Sequence, residues 1–133
     1  MSRTLKQTIG AWGEATAVAF LEREGYAIVE RNFRIKQGEI DIVGHFIDKE
    51  KLPVWSFIEV KTRSYGEGSA ERATGKEKLA RLKRAARVYC LRHDIDMSRT
   101  SIRFEQVSLY IDRSGKTVDC VKYMIPMDKG IDR

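Results

Sequence analysis

Three acids and one amine carry the chemistry in this 133-residue chain. In the stretch "WSFIEVKTR", residues 55–63, Glu59 and Lys61 interrupt an apolar run of Val54, Trp55, Phe57, Ile58 and Val60. Side chains alternate along a strand, so Phe57, Glu59 and Lys61 share one face while Ile58 and Val60 share the other. The same rule groups Glu39, Asp41 and Val43 in "EIDIVGHFI", opposite Ile40 and Ile42. If the connection turns around Lys49 to Leu52, paired residue numbers sum to about 100 and Asp41 faces Glu59. Two carboxylates about 5 Å apart repel by roughly 3 kcal/mol at an effective dielectric near 20. Lys61 offsets part of that repulsion, and a divalent cation would offset the rest. An oxygen-only donor set without His or Cys suits magnesium or manganese. Such an ion can coordinate a phosphate oxygen and acidify a bound water, with Lys61 orienting that water or neutralising charge as it builds. Taken singly, an E-x-K pair on a strand is more often a surface cross-pair. The joint pattern points to phosphodiester hydrolysis.

The elements that would position these residues follow from periodicity. Residues 5–24 read as a helix closed by Gly25, with Ala11, Val18, Leu21 and Glu14 on one face. If that helix packs on the acidic face, Glu14 adds a third carboxylate. Strands are expected at 26–34, 39–47 and 54–62, with Gly38 supplying turn chemistry after the first. "SYGEGSAERATG", residues 64–75, reads as a mobile loop, and a second helix follows with an apolar stripe of Leu79, Leu82, Ala86 and Tyr89. Strands at 101–111 and 117–125 flank the turn "DRSGK". The pattern predicts one α/β domain over residues 1–125, a mixed sheet flanked by two helices, and a tail at 126–133.

Composition narrows the class. Charged residues make up 33% and the formal net charge is +6, which favours a polyanionic partner. No membrane span and no signal peptide are visible. Cys90 and Cys120 have no metal-ligand spacing and suit reduced thiols in the cytoplasm. Arg63, just past Lys61, and the second helix's Lys76, Lys83, Arg84 and Arg87 are the candidate phosphate contacts. The helix residues read equally as a solvated face. His45 and His93 are isolated, and Trp12 and Trp55 read as core.

"GAWGEATAVAFLEREGY", "ERNFRIKQGEIDIV" and "FIEVKTRSYG" resemble the signatures of the YraN-like family, uncharacterised protein family 0102, across about Gly10 to Tyr110. The resemblance implies a restriction-endonuclease-like fold and kinship with archaeal Holliday-junction resolvases. It implies Asp41 and Glu59 as metal ligands, Lys61 as the water-positioning residue and Glu14 as a further ligand or base. Glu39 belongs to the signature as a turn residue, a supporting partner or a ligand. Branched or junction DNA is the implied substrate, and a homodimer would suit its symmetry. One departure is "RFE", Arg103 to Glu105, where Arg-Phe-Asp is expected. The competing readings are a nucleic-acid-binding protein of this fold without efficient cleavage, and an interaction module for a DNA-processing partner.

Overall fold

The computed structural model describes residues 5–64, 75–114 and 116–126. Helix α1 spans Leu5–Arg23, followed by strands β1 (Ala27–Ile35), β2 (Gly38–Ile47) and β3 (Pro53–Ser64), helix α2 (Lys76–Arg92), and strands β4 (Ser101–Ile111) and β5 (Thr117–Met124). Of the expected loop at 64–75 and tail at 126–133, residues 65–74 and 127–133 lie outside the described residues. The strands form one sheet in the order β1-β2-β3-β4-β5, in which only β3 and β4 are parallel. A parallel pair needs a crossover, and α2 lies within it. The expected α/β architecture, a mixed sheet flanked by helices, is the one this chain adopts.

Local chemistry sets the boundaries. At the end of α1, Gly25 adopts φ +99, the Gly25 N–H bonds the Glu22 carbonyl and the Tyr26 N–H bonds the Leu21 carbonyl. This is a Schellman ending, which glycine reaches without steric cost. Between β2 and β3 the Asp48 carboxylate accepts the N–H groups of Glu50 and Leu52, each at 2.9 Å. Asp112 does the same for Ser114 and Lys116 before β5. Aspartate offers the turn backbone an acceptor that its own carbonyls cannot reach.

Each helix buries one stripe. On one face of the sheet, Ala17 and Leu21 of α1 pack with Ile42, Ile58, Val107 and Leu109. On the other face, Leu82, Ala85, Ala86 and Tyr89 of α2 pack with Phe33, Val43, Phe57 and Phe104. Adjacent residues Phe57 and Ile58 therefore enter opposite cores, and β3 is covered on both sides as its unbroken apolar run requires.

Three details depart from expectation. Gly38 is not the turn residue: Lys36 and Gln37 make the turn, and Gly38 is the first, buried residue of β2. A Cβ there would meet the Arg81 backbone carbonyl oxygen, so glycine is required because α2 lies against the strand. Trp12 is 37% exposed, not core, whereas Trp55 packs against the α2-side core and stacks on His45. Ile40 sits with Phe33 in the α2-side core while Ile42 sits in the α1-side core, so strict alternation fails between them. Across from this point in β1, between the pairs Arg31↔Ile42 and Phe33↔Ile40, Asn32 has φ 56.

Candidate active site

The acids converge where β2 and β3 part. These strands pair from Ile47↔Pro53 to Ile42↔Ile58, a register summing to 100 as the alternation argument required. Past that last pair the N–H of Val60 bonds the Asp41 Oδ2 at 2.8 Å. A side chain has taken a donor that would otherwise serve the ladder, and space opens beside it. The resulting cleft, about 70 Å³, is lined by Glu39, Asp41, Glu59, Lys78, Arg81 and Leu82. Asp41 and Glu59 thus share one side of the sheet, the side covered by α2.

Burial makes these charges costly. Glu59 is only 5% exposed. Desolvation is the main cause that pushes the Asp41 carboxyl from 3.8 up to about 6; the Val60 hydrogen bond works against it, and the charges of Glu59, Glu14 and Glu39 add to it. Lys61 is pushed below the usual lysine range, first by burial and also by Lys78 and Arg63, with Glu59 opposing. Glu59 is engaged by a cation from the helix: Lys78 Nζ lies 2.5 Å from its Oε1.

The other expected residues divide. Glu14 is close enough for its charge to act on Asp41, yet it does not line the cleft. Its Oε1 lies 3.9 Å from Arg31 Nε, and burial raises its carboxyl despite the opposing charges of Arg31 and Arg34 and a hydrogen bond with Asn32. Glu39 lines the cleft while pairing with Arg34 at 3.5 Å. Arg63 is half-buried, on the same face as Glu59 and Lys61 by alternation. On α2, helical spacing turns Lys76, Lys83 and Arg87 away from the cleft. Arg84 donates from Nε to the Gln37 carbonyl at 3.2 Å. His45 and His93 serve packing: His45 Nδ1 lies 2.9 Å from the Val54 carbonyl oxygen, and His93 stacks on Tyr89.

Sequence reasoning missed two groups. Lys78 and Arg81 are the basic residues that reach the cleft, and they were indistinguishable within a run of lysines and arginines. Gln106 and Ser108, both buried, lie beside Glu59 and Lys61 in the parallel register, with Gln106 Nε2 donating to Ser108 Oγ at 2.7 Å. Polar residues at alternate positions inside "RFEQVSLYI" are the same signal that marked Glu59. Glu105 points to the opposite face. It is 1% exposed and its Oε1 accepts from Tyr26 and Ser56 hydroxyls, both at 2.6 Å, while Lys122 Nζ stands 3.7 Å from Oε2. The acid of "RFE" therefore anchors a buried network outside the cleft.

The donor set decides which cation fits. Among the described residues no three of His, Cys, Asp and Glu come together closely enough to cage a metal ion. Two carboxylates and open space beside them remain, which suits magnesium, an ion that keeps several waters and needs one or two carboxylates. The fit is to a hydrated, hard ion on Asp41 and Glu59. The acids alone would hold it from one side, leaving its remaining positions to water or a phosphate oxygen.

Comparison with known proteins gives the kinship. A family model described as "Uncharacterised protein family UPF0102" matches residues 13–109. The chain is 40% identical over 111 residues to a UPF0102 protein of Beutenbergia cavernae, covering 83% of this chain and 88% of that protein. It is 36% identical over 116 residues to one from Acetivibrio thermocellus, covering 86% and 84% respectively. A Clostridium perfringens relative is 36% identical over 119 residues, covering 87% and 92%. Among the described residues no helix is long and apolar enough to cross a membrane.

Proposed function

This chain belongs to the uncharacterised protein family UPF0102, and from its cleft we propose that it is a metal-dependent endonuclease hydrolysing DNA phosphodiester bonds, with branched or junction DNA as substrate. The observation that carries this reading is the meeting of Asp41 and Glu59 in one cleft, at a position where burial and like charge push Asp41 up to about 6, with Lys61 on the same strand face as Glu59. Neighbouring buried acids are costly to ionise together, and a divalent cation held between them would offset that cost.

Asp41 and Glu59 would hold magnesium or manganese, which when bound polarises a phosphoryl oxygen and acidifies a water. The chain's own groups supply the rest. The Val60 N–H fixes the Asp41 carboxylate, so one ligand is held in orientation before any ion arrives. Lys61, with burial weakening its hold on a proton, can align a water and neutralise charge on the phosphate. Arg81 at the cleft and Arg63 on the same face as Lys61 are placed to bind flanking phosphates. Glu14, held by Arg31 and Asn32, would shape the field around Asp41 without touching the reacting atoms.

One observation favours the alternative of binding without efficient cleavage: Glu59 is already paired with Lys78, and among the described residues no third acid joins Asp41 and Glu59 closely enough to cage an ion. A single experiment separates the two. Purified protein is incubated with plasmid, linear, single-stranded and four-way-junction DNA in magnesium, manganese or EDTA, beside Glu59→Gln and Lys61→Ala. Metal-dependent cutting lost in both variants supports the nuclease. Tight junction binding with no cutting in either metal supports the alternative, and equal cutting by all proteins refutes the site.

A further inference from the structure

The cleft holds a lysine that phosphodiester chemistry on the strands does not require. Lys61 is carried by β3, and a second amine, Lys78 from the first turn of α2, pairs with Glu59. Its placement is two-sided. The Lys78 side chain is 58% exposed, whereas the Glu59 side chain that it grips is 7% exposed. A solvated stem therefore delivers one charge onto a buried carboxylate, and a lysine stem can swing without moving the helix. Lys61 has no such freedom, because it is half-buried in a central strand.

The two cations compete for the same carboxylate oxygen. An ammonium 2.5 Å from Glu59 Oε1 occupies the coordination space that a divalent ion on the same oxygen would need. Both at once would place three positive charges beside one carboxylate, with Lys61 and Arg81 already nearby. We propose that Lys78 is a resident counter-ion: it holds Glu59 in the free protein, leaves when a divalent cation is bound there, and then contacts the phosphate of nucleic acid at the cleft mouth. This rests on the reading of Asp41 and Glu59 as metal ligands. It makes metal binding and nucleic-acid binding mutually supportive, since a released ammonium gains a phosphate where it lost a carboxylate.

The test uses the full chain as wild type, Lys78→Met and Lys78→Arg, each first shown folded by circular dichroism. Manganese alone is titrated by calorimetry and by the loss of its free paramagnetic resonance signal. Removing a charge-assisted contact that the ion must displace should tighten manganese binding about ten-fold in Lys78→Met, and Glu59→Gln in that background should abolish it. Lys78→Arg, which keeps the charge, should stay near wild type. In the second arm, a fluorescein-labelled DNA duplex is titrated by anisotropy in calcium and in EDTA. Lys78→Met should lose affinity in calcium and match wild type in EDTA.

Manganese affinity unchanged in Lys78→Met, while wild type binds it through Glu59, overturns this proposal alone. An equal loss of DNA affinity with and without calcium also overturns it, because Lys78 would then be an ordinary phosphate contact. No Glu59-dependent manganese binding in either protein overturns the metal-site reading itself, and this proposal with it.

Discussion

Replacing Asp41 with asparagine should stabilise the metal-free protein above pH 6. The carboxyl is raised from 3.8 in the unfolded chain to about 6 in the fold, chiefly by burial. Below pH 3.8 the group is protonated in both states and costs nothing. Between 3.8 and 6 the unfolded chain releases the proton first, so stability falls as pH rises; above 6 the whole cost is present. At 1.36 kcal/mol per unit the shift amounts to ~3 kcal/mol. Partial access of water through the cleft makes that a ceiling, and a gain between about 1 and 3 kcal/mol is expected. Asparagine retains an oxygen that can accept the Val60 N–H, so the strand geometry survives the change. Urea denaturation of wild type and Asp41→Asn in EDTA, at pH 7.5 and pH 4, reads the effect. The variant should be the more stable at pH 7.5, with the difference shrinking below about 1 kcal/mol at pH 4. Magnesium added at pH 7.5 should stabilise wild type and not the variant. An asparagine variant less stable than wild type at pH 7.5, or a gain that does not depend on pH, would refute the claim that Asp41 is ionised at a cost.

Other changes probe the scaffold. Gly38→Ala drives a methyl group into the Arg81 backbone carbonyl, which cannot rotate away, and should cost about 3 kcal/mol or more by chemical denaturation. Gly13→Ala meets the Thr62 side chain at 2.6 Å instead, and a side chain can shift, so its cost should be smaller in the same assay. Glu105→Ala removes the acceptor of the Tyr26 and Ser56 hydroxyls and the carboxylate paired with Lys122, and should cost about 3–5 kcal/mol, with metal affinity per folded molecule unchanged because the network lies across the sheet from the cleft.

The strands and the acid pair were legible because both obey short-range rules. The turn at Asp48 and Lys51 sets a register that runs to Ile42↔Ile58 and leads Asp41 towards Glu59, although alternation breaks between Ile40 and Ile42. Gly25 announced the end of α1 by its own conformational freedom. What could not be read depended on how the helices settle on the sheet. Gly38 looks like a turn glycine until α2 is seen pressing on it. Lys78 and Arg81 differ from Lys76 and Arg87 only in helical phase, and phase matters once one face is known to meet the cleft. Residue type points Trp12 to the core, but the buried stripe of α1 runs through Gly13, Ala17 and Leu21, one position round the helix. Glu105 could be seen to be unusual, yet its partners Tyr26, Ser56 and Lys122 come from three other segments of the chain.

Anomalous diffraction from a crystal soaked in manganese shows whether a cation sits between the two carboxylates. A peak is expected within coordination distance of both Asp41 and Glu59, with Lys78 Nζ withdrawn from Glu59. Crystals at saturating manganese that show no peak at this cleft, and keep Lys78 on Glu59, would contradict the metal site.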